Sequence, residues 1–392
     1  MKCLLRNIVF ISISLMLSNC KNQNDKTVQL NNTNLLKLTD TIKISHPIKE
    51  KKIKKYIRYY ESSKIGNCCL VKYSSKSDSL SFYNLKGQEL SVGINLSNVA
   101  KRNLQHFVVH SKDSIFILNY NNKLFKLNSD GEINNKWNFN GNVLDNGNKN
   151  YTIMGAVSSP ISYKNNYFYA IQARNVKGLG KNIESNQKYY YSNSGIKIRL
   201  KKDSFKLYNK IGKYPWIYKK SKKFYYEFHP SKTLGHNNHV VFSFALSDTI
   251  YAYKRNKLRR KVSVSSPFFK TPNAFNKDSM HNYKYISKYI STQPRYKMIS
   301  YDKYNNLYYR IIAHTQPYKN EDGTINKVFD RPWSIMVLDT NFKKLHEIIM
   351  PAGKFEYNTI FVTEKGILLK ANERTKAARP NRMTYYLVEV NS

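Results

Sequence analysis

The stretch from Glu227 to His239, EFHPSKTLGHNNH, brings one carboxylate and three imidazoles, His229, His236 and His239, into a single short window. Imidazole exchanges protons near neutral pH and ligates divalent metals, so general acid-base or ligand chemistry would be sought here first. The spacing argues against a metal. His236 and His239, like His106 and His110, would meet on one face of a helix, but both pairs sit among alternating apolar residues. On a strand that spacing does not converge. The same window also reads as a polar loop leading into a strand. A second candidate is FDRPWSIMV, where Arg331 and Trp333 could form a platform for stacking a sugar ring. Packing between sheets is the other role open to Trp333.

Beyond these the chemistry is sparse. The chain has no Gly-x-Ser-x-Gly elbow, phosphate loop, dinucleotide fingerprint or His-Glu-x-x-His motif. Paired carboxylates for glycoside hydrolysis could come from distant loops, but 25 Asp plus Glu in 392 residues disfavour them. The reading is therefore no catalytic residue, no metal and no cofactor, with His229, His236, His239, Arg331 and Trp333 as binding candidates.

The elements that must position these residues are strands. Tyr and Phe number 32 and 19, Ile and Val are frequent, and long Ala/Leu/Glu runs are absent, a composition suited to pleated, half-buried surfaces. One phrase recurs: an alternating run, a tight turn, a second alternating run. It is clear in SLSFYNLKGQEL (Ser79 to Leu90) and KLFKLNSDGEI (Lys123 to Ile133). It weakens through SFKLYNKIGKY (Ser204 to Tyr214), TIYAYKRNKLRRKV (Thr249 to Val262) and SIMVLDTNFKKLHEI (Ser334 to Ile348), and MTYYLVEV (Met383 to Val390) keeps the first run only. This is hairpin patterning. A second phrase, an Asn-Asn pair ahead of an apolar run, begins at Tyr120, Lys164, His236 and Tyr304; Asn tolerates the positive φ of a type I′ turn.

Aligned on Asn84, Asn128, Asn209, Lys254, Asp339 and Glu389, the hairpin phrases recur at about 44, 81, 45, 85 and 50 residues. These are one or two units of a propeller-blade period. The fold expected is all-β: a single propeller of six four-stranded blades, with seven or eight as the alternative if the two long intervals hide further blades. Six requires insertions, and Asn175 to Gly195 and Thr271 to Thr292 depart from strand patterning. A strand near the N-terminus would complete the last blade.

The N-terminus carries a different signal. Lys2 and Arg6 precede an apolar run from Ile8 to Leu17, which ends at Leu17-Ser18-Asn19-Cys20. The run is too short to span a bilayer and has the layout of an export signal. Leu17 to Cys20 resembles the lipobox of bacterial lipoproteins, in which the chain is cut before a cysteine that carries acyl chains; Asn19 departs from the usual Gly, Ala or Ser. The division expected is a signal peptide over 1–19, a lipidated tether over 20–50 and the propeller over 51–392. Leu35 to Ile44 also alternates well enough to be a strand of the main fold. Cys68 and Cys69 are adjacent, so on a strand one thiol points inward and one outward.

Lys plus Arg number 66 against 25 Asp plus Glu, a formal net charge of +41. Such a field attracts polyanions. RNKLRRKVSV (Arg255 to Val264) could grip phosphates, but an export signal argues against nucleic acid as a partner. Anionic headgroups, lipopolysaccharide or an acidic glycan are what an envelope offers. KEKKIKKYIRYY (Lys49 to Tyr60) reads as a basic surface segment or as the lead-in to the first blade. Lipobox, polar tether and degenerate repeats together resemble the uncharacterised six-bladed propeller lipoproteins of Bacteroidota-type outer membranes, a domain of unknown function. The resemblance implies an envelope location, a lipid anchor at Cys20 and the fold, and supplies no catalytic residues. Two functions follow: a propeller that binds a glycan, envelope polyanion or partner protein, or a polysaccharide hydrolase or lyase working in the propeller channel. The missing catalytic motif favours binding.

Overall fold

The structure, a computed structural model, describes residues 36–45, 56–60, 69–99 (except 76, 85, 87 and 88), 103–139 (except 112), 151–174 (except 157), 183–279 (except 221–223, 227 and 228), 281–372 and 382–390. Strand β1 (Leu36–Ser45) stands apart in sequence from its sheet. The first blade is β2 (Tyr56–Tyr60), β3 (Cys69–Ser74), β4 (Ser79–Asn84) and β5 (Glu89–Asn95). The second is β6 (Leu104–Ser111), β7 (Ser114–Asn119), β8 (Lys123–Leu127) and β9 (Ile133–Asn138). The third holds β10 (Tyr151–Met154) and β11 (Ser162–Lys164), both paired with β12 (Tyr167–Arg174), then β13 (Asn193–Leu200) and β14 (Phe205–Lys213). The fourth is β15 (Ser231–Leu234), β16 (Val240–Ser243), β17 (Thr249–Lys254) and β18 (Lys257–Ser263). The fifth is β19 (Arg295–Asp302), β20 (Leu307–Ala313), β21 (Trp333–Leu338) and β22 (Lys344–Met350). The sixth is β23 (Phe355–Thr363), β24 (Gly366–Ala371), β25 (Arg382–Val390) and, outermost, β1.

Six blades therefore close a ring, and the sequence beyond their strands accounts for the two long intervals. Helix α1 (Ile183–Tyr190) lies within the first departure from strand patterning and α3 (Tyr283–Thr292) within the second; neither adds a sheet. The closing strand is Leu36–Ser45, paired antiparallel from Leu36↔Val390 to Ser45↔Arg382. This corrects the boundary at 51: the alternating stretch belongs to the propeller rather than to a tether. Residues 1–35, including Cys20, lie outside the described residues, as do Cys68, the side chain of Cys69 and Lys49 to Lys55. Tyr56–Tyr60, the described part of the Lys49 to Tyr60 run, is the innermost strand of the first blade.

Apolar residues fill the seams between blades, because a blade buries each face only against a neighbour. Strand β21 is buried along its whole length and β7 nearly so, as third- and second-ring strands covered on both sides. At the rim, β18 is exposed throughout except at Val262, which is half-buried. The basic run from Arg255 is thus a rim strand facing water. The final seam joins Ile42, Ile44 and Leu387 to Leu70 and Tyr83, so the ring is packed where it closes.

Strand direction alternates within each blade, which divides the connections between two ends. First-to-second and third-to-fourth strand turns share one end; second-to-third connections and blade crossovers share the other. Helices α1, α2 (Trp216–Lys220) and α3, with the 314–332 loop, all fall in the second group, so one end is insert-bearing and the other carries tight turns. Asn165 and Asn166 (φ 50° and 63°), Asn237 and Asn238 (φ 51° and 61°) and Arg255 and Asn256 (φ 51° and 65°) supply the left-handed backbone of these turns. The hairpin phrase is the third-to-fourth turn in blades one, two, four and five. In the third blade it is displaced: SFKLYNKIGKY holds the single strand β14, with a bulge between its pairings Tyr208↔Lys197 and Ile211↔Gly195.

Candidate functional site

The seam between the third and fourth blades opens, at the turn-bearing end, into a cleft of about 370 Å³. Its wall begins with register. Alternation turns Ile196 and Ile198 of β13 toward the second blade, where both are buried, and sends Lys197 to the opposite face. Lys197 pairs with Tyr169 on β12 and with Tyr208 on β14. The amine lies 3.8 Å from the centroid of the Tyr167 ring and 5.8 and 5.9 Å from those of Tyr169 and Tyr208, a cation held over aromatic faces. Burial lowers the Lys197 amine from its ordinary value and pushes the Tyr169 phenol up to about 12, with Tyr167 adding to the latter. Lys164 and Asn165 enter from the third blade, and Leu234, Asn238, Tyr253, Lys254, Arg255 and Asn256 from the fourth. Among these described residues every lining group that is charged at neutral pH is cationic.

The lining is equipped for anionic and hydroxyl groups. Ammonium and guanidinium groups neutralise a carboxylate or sulfate, tyrosine faces stack on the apolar face of a pyranose, and Asn amides both donate and accept toward hydroxyls. Among the described lining residues there is no carboxylate.

A second cavity, about 360 Å³, lies in the central channel. It is lined by the innermost strands of blades two to six, with Phe107, Ile161, Met298, Ile360 and Phe361 giving an apolar wall. His110 packs edge-on to Tyr163 at 4.9 Å, and burial followed by Lys126 lowers its pKa.

The residues singled out by type fall elsewhere. His236 is held by its neighbours across the fourth seam: its backbone N–H donates to the Tyr308 hydroxyl at 2.9 Å, and Nδ1 lies 3.2 Å from the Tyr301 hydroxyl. His239 donates from Nδ1 to the His236 carbonyl at 2.9 Å, and burial outweighs that bond to lower its pKa. Both imidazoles thus brace the turn whose Asn238 lines the cleft. His229 is at the insert-bearing end with Nδ1 3.4 Å from the Tyr189 hydroxyl, lowered to about 4 by burial and then by Lys297. The three histidines do not form one site, and no group of three or more His, Cys, Asp or Glu converges among the described residues.

Arg331 and Trp333 are both wholly buried, so neither presents a face to a sugar ring, and of the two roles open to Trp333 it takes the packing one. Arg331 caps the C-terminus of α3, donating to the carbonyls of Gln293 and Ile290 at 3.0 Å each and to that of Ser291. Trp333 fills the seam between the fifth and sixth blades beside Met350 and Tyr357. The cleft residues were missed because each is ordinary in sequence. The available signal was a lysine in the middle of the apolar strand run GIKI, beside a YFY alternation.

The sequence profile of the DUF4221 domain of unknown function matches residues 27–349. The chain belongs to this DUF4221 family. The crystal structure of a DUF4221 member from Bacteroides vulgatus is similar over 92% of this chain and 100% of that one, with 18% identity and a TM-score of 0.71, a likeness of fold. A putative exported protein from Bacteroides fragilis is more distant at 13% identity, 91% of this chain, 96% of that one and a TM-score of 0.47. So is a virginiamycin B lyase from Staphylococcus aureus, at 10%, 90%, 99% and 0.44. Neither carries an argument about function. No curated protein matches the chain.

Proposed function

We propose that this DUF4221 chain is a lipid-anchored propeller of the bacterial cell envelope and that it binds an acidic glycan in the cleft between its third and fourth blades. The observation that carries the reading is the lining of that cleft: Lys164, Lys197, Lys254 and Arg255 around tyrosine faces and Asn amides. The formal charge of +41 draws polyanions toward it. Chain direction supports an anchor on the same side. Leu36 pairs with Val390 at the turn-bearing end, so the path from Cys20 reaches the propeller at the end where the cleft opens. Sixteen residue steps separate Cys20 from Leu36, a reach of at most about 55 Å. The cleft then faces the layer of acidic glycan and headgroup chemistry near a membrane surface.

Titration with a uronic-acid oligosaccharide and with its neutral methyl ester tests the binding reading. The acid should bind and weaken steeply as salt rises, and the ester should bind at least tenfold more weakly. Equal affinity for both, or none for the acid, rejects it. The anchor is tested separately by the mass of the processed N-terminus, which should show acyl chains on Cys20; an unmodified cysteine rejects that part alone.

A further inference from the structure

Lys232 has no solvent exposure, and among the described residues its amine has one hydrogen-bond partner, the Ser162 hydroxyl at 3.3 Å. A buried ammonium normally needs a carboxylate or several acceptors. The buried Arg310, by contrast, donates to four oxygen atoms. Lys232 has a single hydroxyl, and that hydroxyl belongs to a residue lining the channel cavity. Ser162 Oγ lies 3.5 Å from the Pro160 carbonyl, its other contact. Burial alone lowers the Lys232 amine to about 7, which leaves a substantial neutral fraction at physiological pH.

We propose that Ser162 and Lys232 form a serine–lysine pair in the channel wall, with Ser162 as the nucleophile and Lys232 as its base, able to take an acyl group from an ester seated in the cavity. The neutral amine accepts the Ser162 proton as Oγ forms a bond to the ester carbonyl carbon. The tetrahedral adduct collapses, the bond to the ester's alkoxy oxygen breaks, and the Lys232 ammonium returns the proton to the departing alcohol. Water, deprotonated by the same amine, then releases the carboxylic acid and restores the hydroxyl. The apolar wall of Phe107, Ile161, Met298, Ile360 and Phe361 fits a small apolar acyl group in a cavity of about 360 Å³. The site is independent of the glycan reading, because the cleft and the channel cavity share no lining residue.

Other titratable groups face the pair. His110 on β6, Tyr163 on β11 and Tyr301 on β19 line the cavity, and Tyr251 on β17 lies across the sheet from Lys232 through Phe242. The tyrosines ionise well above neutrality, which leaves His110 as the competing base.

The test is reaction of the full mature chain with an alkyl fluorophosphonate, followed by intact mass and peptide mapping. One adduct should form, on Ser162, at a rate that rises about tenfold per pH unit up to a midpoint near 7 and then levels. His110→Gln should leave that midpoint in place. Lys232→Met should slow labelling by about 100-fold or more while the protein melts no lower than the wild type. Lys232→Arg, which stays protonated, should be equally slow. No adduct, an adduct elsewhere, a midpoint that vanishes in His110→Gln, or an unchanged rate in Lys232→Met overturns the proposal. The wild-type pH profile decides the matter even if a variant fails to fold.

Discussion

The two seams on either side of the fourth blade use buried cations in opposite ways. In the seam with the fifth blade, Arg310 is wholly buried with its guanidinium 3.6 Å from the Tyr296 ring centroid. It donates to Ser243 Oγ at 2.9 Å and to the carbonyls of Asp248 at 2.6 Å, Val264 at 3.1 Å and Ser247 at 2.6 Å. Burial lowers its pKa to about 10, while Tyr296, Asp248 and Glu347 act to hold the charge. In the seam with the third blade, Lys232 is equally buried and, among the described residues, meets one hydroxyl. The first cation is a bolt between blades. The second leaves its seam under-bonded, and the same seam opens at its end into the Lys197 cleft. Equal burial with unequal hydrogen bonding is what separates a structural charge from a candidate functional one.

Substitution should break this contrast most sharply at Arg310. Arg310→Met strands a hydroxyl, two buried carbonyls and a partly buried one and should cost about 3–5 kcal/mol in urea denaturation, whereas Lys232→Met, losing one weak bond and a desolvated amine, should cost nothing or stabilise. Equal losses would erase the distinction.

Gly195 sharpens it next. A Cβ there would collide with Phe242 Cζ, so the third-to-fourth seam is tight in its middle although open at its end. Gly195→Val should cost about 1–3 kcal/mol by overpacking, read as a lower melting temperature.

The pH dependence of stability gives a smaller, signed effect. The folded Lys232 amine releases its proton near pH 7, and the unfolded one near 10.5. Between those values the unfolded chain binds more protons, so this residue makes stability rise with pH from about 7 upward. Lys297, lowered to about 8 by burial and then by Arg295, adds a slope of the same sign. The profile of wild type minus Lys232→Met isolates the first. It should be negative near pH 7 and climb toward zero as the pH approaches 10; a flat difference contradicts a neutral buried amine.

Much of the architecture was legible because its causes are local. Period-two alternation and turn chemistry are written into short stretches, and Asn165-Asn166 and Asn237-Asn238 adopt the positive φ their sequence anticipates. The closing role of Leu36–Ser45 follows from MTYYLVEV lacking a partner. The exception, β14, shows the limit: Asn209 and Lys210 look like a turn, but pairing along β13 absorbs them as a bulge. The site was not legible, because it is assembled from strands and turns of two blades that lie far apart in sequence. Lys197 matters only through its register with Tyr169 and Tyr208. The rare residue types misled: His236 and His239 brace a turn, and Arg331 caps a helix.

The smallest effect on stability and the most direct test of function coincide at Lys197. The dissociation constant of a uronic-acid oligosaccharide should be compared among wild type, Lys197→Ala and Arg260→Ala, the last removing an exposed cation bonded to Asn341 across the other seam at 2.6 Å. Binding should be at least tenfold weaker for Lys197→Ala and little changed for Arg260→Ala, with native melting for both. Equal weakening in the two variants would mean that diffuse charge, and not the cleft between the third and fourth blades, holds the ligand.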